Sequence, residues 1–385
     1  MAPRSRHSKS ASVTSSTSDS VNGGMLPPAT PVSKSPSPVT TRKARSRSTT
    51  SPQGPVTPVV VITKPDDAAQ PLVPRKAKEV GKFTLTIVLS TLLEAAFQTG
   101  ASFVTPGDLA LVSRWPDTTV IVGLLGWKLA KLSLYWFRGF DAYDVASVSL
   151  LLFTPQSILL GLFYEISPIT LTATTLSSVL ANALPYYFFR PLSPSHKPGS
   201  APKASLRNRP ILTDPYTAIA TSLLATTIFA VLLEASFATF LPEWLITHFM
   251  GLRTLEPAHR GPSGLPTLLL ALLPAGVACM EFLFAPPTAA GSVLLAPPAI
   301  PFDPATASFA AHVYYNAWGW YTARQKELIR RTVFLTALLV TESVVQVWGT
   351  VAGVELPGAL GYAGVWGLGV VVVGVVLDWV GGPSD

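Results

Sequence analysis

Glutamates in the middle of long apolar runs are the residues of this chain whose type and spacing could do chemistry. Glu94 lies in Leu92-Leu93-Glu94-Ala95-Ala96-Phe97-Gln98-Thr99, and the octet returns 140 residues later as Leu232-Leu233-Glu234-Ala235-Ser236-Phe237-Ala238-Thr239, identical at six of eight positions. A fainter copy, Leu339-Val340-Thr341-Glu342-Ser343-Val344-Val345-Gln346, restores the Glu-x-x-x-Gln spacing that joins Glu94 to Gln98. Leu and Ala are common in any apolar helix, so the glutamates carry the signal. An ionisable side chain at bilayer depth costs about 2.5–3.5 kcal/mol on insertion scales and persists where a partner or a wet cavity accepts it. Carboxylates so placed either bracket a site for a small solute or ion, or fix helix register through ion pairs.

Helical rise decides which partner each glutamate can reach. Counted from Lys82, Glu94 sits about 18 Å along its helix, and Lys128 sits about 15 Å from the matching end of the next helix at Arg138. The depths agree, so Glu94 and Lys128 are expected to pair. Lys131 lies on the same helical face one turn nearer the end, where its long stem could snorkel. Glu234 and Glu342 have no Lys or Arg in their own hairpins. They are expected to be protonated, hydrogen-bonded or facing water.

Other polar residues gather around prolines and along one helix. Pro155 stands beside Thr154, Gln156 and Ser157, where a missing N–H frees backbone carbonyls that a neighbour or water must satisfy. Thr174, Ser178 and Asn182 recur every four residues, a stripe that serves as interhelical glue or lines a cavity. Ala359, Ala363 and Gly367 give the last helix a face of small residues for close packing.

The elements that must hold these residues are membrane helices. Apolar residues make up 48% of the 385 and charged residues 13%, about half the charge share of a soluble domain. Eight apolar runs have the length of about twenty residues that crosses a hydrocarbon core of about 30 Å. They cover 82–104, 118–138, 145–164, 167–189, 217–240, 265–286, 331–353 and 359–380. The expected fold is all-α, a polytopic transmembrane bundle of about eight spans behind a disordered basic N-terminal tail. Residues 1–80 form that tail, 81–190 a first four-helix membrane unit, 191–216 a basic cytosolic loop, and 217–385 a second four-helix unit. Within the second unit, 288–330 ends in Tyr314, Tyr315, Trp318, Trp320 and Tyr321 followed by basic residues. That order suits a segment lying in the cytosolic headgroup layer, or a seventh helix that extends into the cytosol.

Charge sets the orientation. Residues 1–82 carry thirteen Lys/Arg against four acids, and 83–385 carry fifteen against seventeen. The tail is rich in Ser, Thr and Pro, which favours disorder. Its knot Arg42, Lys43, Arg45 and Arg47 could attract anionic lipid headgroups, and the tail could recruit cytosolic proteins. With eight spans, the basic flanks before the first helix, after the fourth and before the seventh fall on one side, so both termini are expected in the cytosol of an endomembrane or plasma-membrane protein. No phosphate-binding glycine loop, His/Cys metal spacing or nucleophile–base arrangement lies in the spans. No cofactor, metal, catalysis or nucleic acid is expected, the one cysteine rules out an internal disulfide, and the oligomeric state is not constrained. Two functions survive: a transporter or channel-like protein using Glu94, Glu234 and Glu342, or a non-catalytic membrane scaffold or adaptor with a regulatory tail. Convergence of the three carboxylates on one cavity favours the first, and their separation the second.

Overall fold

Apolar runs bounded by capping residues or turns form eight long helices. The computed structural model describes residues 75–115, 117–202, 206–290 and 302–381; the tail knot Arg42, Lys43, Arg45 and Arg47 lies outside them. The helices belong to one compact unit, Gln70–Asp385. They are α1 (Arg75–Ser102), α2 (Thr118–Arg138), α3 (Ala142–Phe163), α4 (Pro168–Phe189), α5 (Pro215–Phe237), α6 (Leu265–Cys279), α7 (Ala323–Thr350) and α8 (Leu356–Val380). Asp117, Asp141, Ser167 and Asp214 cap α2, α3, α4 and α5 by accepting from first-turn backbone N–H groups, the role for which short polar side chains are favoured. Gly139 ends α2 in the left-handed region at φ 78°, a conformation glycine adopts without a Cβ clash. Among the described residues no strand forms; two isolated bridges, Ser113 with Val351 and Phe249 with Val354, join loops.

Three boundaries differ from the sequence reading. Helix α1 begins at Arg75 rather than Lys82, because Arg75–Lys82 is rich in good helix formers and Glu79 pairs with Lys82 at 3.1 Å. Helix α7 begins at Ala323 rather than 331, started by a capping box between Thr322 and Gln325. The basic cluster 324–331 is therefore part of the helix, and the aromatics before it form a separate short helix (Phe309–Tyr314) and one π-helical turn (Tyr315–Gly319). Helix α6 likewise runs through a π-helical turn (Met280–Phe284) into Ala285–Ala289.

Among the described residues, seven helices are long and apolar enough to cross a membrane, and α4 is not one of them. Its length of 22 residues matches α3, but Thr170, Thr172, Thr174, Thr175, Ser177, Ser178 and Asn182 lower its apolarity. Most of those groups point into the protein, Thr172 being exposed. Ser157 meets Thr175 at 3.1 Å and Asn182 donates to Ser149 at 3.3 Å, so α4 runs antiparallel beside α3 along most of its length. On its other side Asn182 accepts from Ser90, and Ser177 donates to the Phe97 carbonyl of α1.

Helix α3 is the centre of the bundle. It packs on α4, α6 and α7, and most of its length is buried, whereas α1 and α2 lie at the edge with few buried residues. Lipid tails offer little hydrophobic drive between helices, so association rests on close packing and hydrogen bonds. A Cβ on Gly276 would strike the Thr226 side chain and Ser222 carbonyl of α5, and one on Gly367 the Val340 side chain of α7. Ala359 and Ala363 are fully buried on the face that carries Gly367.

The contacts define two faces. On one, Arg190 donates to the Phe140 carbonyl, His196 meets Asp141 and Glu281, and Arg324 donates to the Leu377 carbonyl at the end of α8. On the other, the α1–α2 connection passes under α4 and α7: Asp108 accepts from Ser167 N–H and the Thr170 hydroxyl, and Arg114 N–H donates to Thr350.

Candidate functional site

Depth matching between α1 and α2 brings Lys128 onto Glu94, and the two form an ion pair. Lys128 also reaches the Ser90 carbonyl at 3.5 Å, while Ser178 donates to the second Glu94 oxygen at 3.3 Å. Gln98, one turn along, donates to Ser178 at 3.0 Å and to the Thr174 carbonyl at 3.3 Å. Helices α1, α2 and α4 are thus joined by a single polar chain.

Lys131 does not snorkel. It is buried and donates to Glu342 at 2.6 Å, because α7 packs close enough to supply an acid at its own depth. The Trp127 indole donates to the other Glu342 oxygen at 2.5 Å, and Gln346 donates to the first at 3.0 Å. Two lysines one turn apart on α2 therefore hold two different helices, α1 through Glu94 and α7 through Glu342. Two cations and two anions cancel.

A cavity of about 300 Å³ lies beside this network. Its polar lining comes from Glu94 and Gln98 of α1, Gln156 and Ser157 of α3, Thr174, Thr175 and Ser178 of α4, and Gln346 of α7. Thr154 and Asn182, expected there, do not line it. The Thr154 hydroxyl turns back to the Leu150 carbonyl of its own helix, and Asn182 is consumed between Ser90 and Ser149. Pro155 does not break α3; its carbonyl accepts from Tyr362 at 2.7 Å.

Glu234 stands apart. It lies beside Gly264, and its Oε2 is buried with no hydrogen-bond partner among the described residues. The three repeated carboxylates therefore do not converge: Glu94 lines the cavity, Glu342 reaches it through Gln346, and Glu234 sits near Gly264.

A second cluster, on the face that carries Arg190 and Arg324, was not read from the sequence. Arg331 of α7 donates to Asp144 of α3 at 2.6 Å, to Glu327 at 2.9 Å and to the Phe282 carbonyl at 3.3 Å. Next to it His196, from the loop after α4, meets Asp141 at 2.7 Å and stacks on Tyr143. Burial disfavours the Asp141 carboxylate, but the His196 hydrogen bond and charge and the N–H groups of Asp144 and Ser193 outweigh it and hold its pKa at about 2. Burial also opposes the His196 imidazolium, yet the bond to Asp141 and the fields of Asp144, Asp141 and Glu281 raise its pKa. Ligand atoms of Asp141, Asp144 and His196 lie within 4.8 Å of one another, as a metal would require. Each is already engaged, Asp141 by His196 and Asp144 by Arg331, so the Arg331 cation supplies the positive charge. The available signal was Asp141 and Asp144 three residues apart at a helix start, which reads equally well as capping.

Residues 214–380 match the family model of the Bouquet formation protein 3 C-terminal domain. No curated protein and no solved structure matches the chain. The similar region runs from the cap of α5 to the end of α8 and contains Glu234, Arg331, Glu342 and Gln346. It excludes two of their charged partners. Lys131 and Asp144, which neutralise Glu342 and Arg331, both lie before residue 214, so two buried ion pairs join the region similar to that family to the preceding helices.

Proposed function

We propose that this chain is a non-catalytic, multi-pass membrane scaffold or adaptor, with an eight-helix body and a basic N-terminal tail that recruits anionic lipid headgroups or cytosolic proteins. The observation that carries this reading is how the buried charges are spent. Glu94, Glu342 and Asp144 each hold a cation from another helix, and Glu234 lies away from them. Charges spent as ties between helices suit a body whose work is to hold a shape, whereas a transport path needs them presented to one passage. The matched family is named for bouquet formation, the forming of an arrangement rather than the movement of a solute, and that supports an assembly role. The basic flanks support an orientation with the face of Arg190 and Arg324 toward the cytosol of an endomembrane or plasma membrane.

The test replaces both tied pairs in the cell. A gene encoding Glu94→Gln with Lys128→Met, and a second encoding Glu342→Leu with Lys131→Met, are compared with the full deletion for whatever defect the deletion causes. A scaffold keeps function in each double variant that reaches wild-type abundance. Loss of function at normal abundance and location in the Glu94/Lys128 double variant sinks the reading.

A further inference from the structure

We infer that the cavity between α1, α3, α4 and α7 binds a small, uncharged, hydroxyl-rich molecule or headgroup, a polyol, through the side-chain carbonyl oxygens of Gln98, Gln156 and Gln346. The orientation of each amide is fixed by what its nitrogen meets. Gln98 Nε2 faces the Thr174 backbone carbonyl, which only accepts. Gln346 Nε2 faces the Glu342 carboxylate, another acceptor. Gln156 Nε2 faces the Thr350 hydroxyl, whose one hydrogen is already given to the Gln346 backbone carbonyl, so that oxygen must accept.

Each amide turns an N–H to the wall: Gln98 uses both of its own, while Gln156 and Gln346 each use one and keep a second. Their Oε1 atoms accept from no donor among the described residues, and the residues line one cavity. Such a wall offers three carbonyl acceptors and a few donors, the complement of hydroxyl groups, which both donate and accept. Among the lining hydroxyls, Ser178 donates to Glu94 and Thr174 to the Thr170 carbonyl, while Ser157 and Thr175 share one hydrogen bond that leaves one of their hydrogens free.

Charge and size narrow the class. Lys128 and Lys131 cancel Glu94 and Glu342, so the wall has no net charge to offset the desolvation of an ion. The volume of about 300 Å³ is far above the 10–15 Å³ that one water needs and at the lower end for ligand pockets. Phe153, Leu160 and Leu171 complete the lining with apolar surface, which fits the C–H face of a polyol whose hydroxyl edge meets the glutamines. The source is either a free polyol or the headgroup of a lipid.

The experiment uses the full-length protein in phosphatidylcholine nanodiscs and reads its thermal unfolding midpoint against myo-inositol, with sodium acetate as the acceptor-only control. A parallel set of nanodiscs contains phosphatidylinositol. A saturable rise at millimolar myo-inositol identifies a free polyol; a rise only with phosphatidylinositol identifies the headgroup. Either result must weaken about five- to tenfold in Gln156→Leu, the worth of one hydrogen bond, and vanish in Leu109→Trp, which fills the cavity without touching a glutamine. If Gln156→Leu does not yield monodisperse protein, Leu109→Trp decides alone. No saturable rise from either source, an equal rise in the variants, or an equal rise with acetate overturns the assignment.

Discussion

The Lys131 ammonium lies 2.6 Å from the Glu342 carboxylate, and the two side chains are 8% and 0% exposed. The Lys128–Glu94 pair one turn away is 18% and 24% exposed. A buried pair loses more when one partner is removed, because the survivor keeps its charge without water to solvate it.

The two pairs therefore differ in coupling. Glu342→Leu leaves Lys131 orphaned, a loss of about 3 to 5 kcal/mol in a soluble interior that snorkelling softens here. The double variant Lys131→Met with Glu342→Leu recovers most of it. A double-mutant cycle on thermal unfolding in nanodiscs gives about 1.5 to 3 kcal/mol of coupling for Lys131–Glu342 and under about 1 kcal/mol for Lys128–Glu94. Equal couplings, or the reverse order, would show that burial does not set the strength of these ties.

Close approach of α5 and α6 rests on Gly276. A methyl group there meets Thr226 and the Ser222 backbone, which cannot move away cheaply, so Gly276→Ala lowers stability by about 1 to 3 kcal/mol. Gly123 on α2 has nothing within 4 Å of an added Cβ, and Gly123→Ala is neutral or gains up to about 1 kcal/mol of helix propensity. Thermal aggregation of the two variants side by side checks the contrast. A tolerated Gly276→Ala means that the two helices are not in contact at that point.

What the sequence made legible follows from how far each contact reaches along the chain. Glu94 and Lys128 belong to successive helices, so rise per residue places them at one depth without knowledge of the fold. Lys131 and Glu342 are 211 residues apart, and nothing in either segment says that α2 and α7 are neighbours. Arg331 read as a flanking cation because a basic cluster before an apolar run commonly marks a span's end; a helix that starts eight residues earlier carries it inside to Asp144. Thr154 read as a cavity residue because Pro155 frees a carbonyl, but β-branched threonine in a helix can satisfy itself on the preceding turn. The stripe Thr174, Ser178 and Asn182 was open between glue and lining, and it divides: Asn182 is glue, and Thr174 and Ser178 line the cavity.

The Asp141–His196 contact makes the loop after α4 sensitive to pH. His196 has a raised pKa, so its contribution is complete below the unfolded value near 6.5 and fades as pH rises through the folded value. Asp141, held at about 2, contributes above its ordinary value near 3.8 and loses that contribution as pH falls toward 2. Stability from this contact is greatest between about pH 4 and 6.5 and declines on the alkaline side. Unfolding midpoints of wild type and His196→Gln between pH 6 and 8 check it: the wild type loses more stability over that window than the variant, and parallel curves would remove His196 from the account.

Whether α4 crosses the membrane decides the orientation of everything after it. By apolarity alone α4 falls short, and an odd number of spans would put the two ends of the helical body on opposite sides. Yet its polar groups are directed at α1 and α3 rather than at lipid: Thr170 donates to Asp108, Thr175 meets Ser157, Ser178 reaches Glu94 and Asn182 joins Ser90 to Ser149. A helix whose polar face is satisfied by neighbours can cross within the protein at little cost. Eight crossings put the basic loop at Gly199 in the cytosol and the connection at Arg260 across the membrane; seven reverse both. Glycosylation acceptors inserted at each position of the full-length protein separate the cases. Modification at Arg260 and none at Gly199 is expected, and modification at Gly199 with none at Arg260 would take α4 out of the membrane.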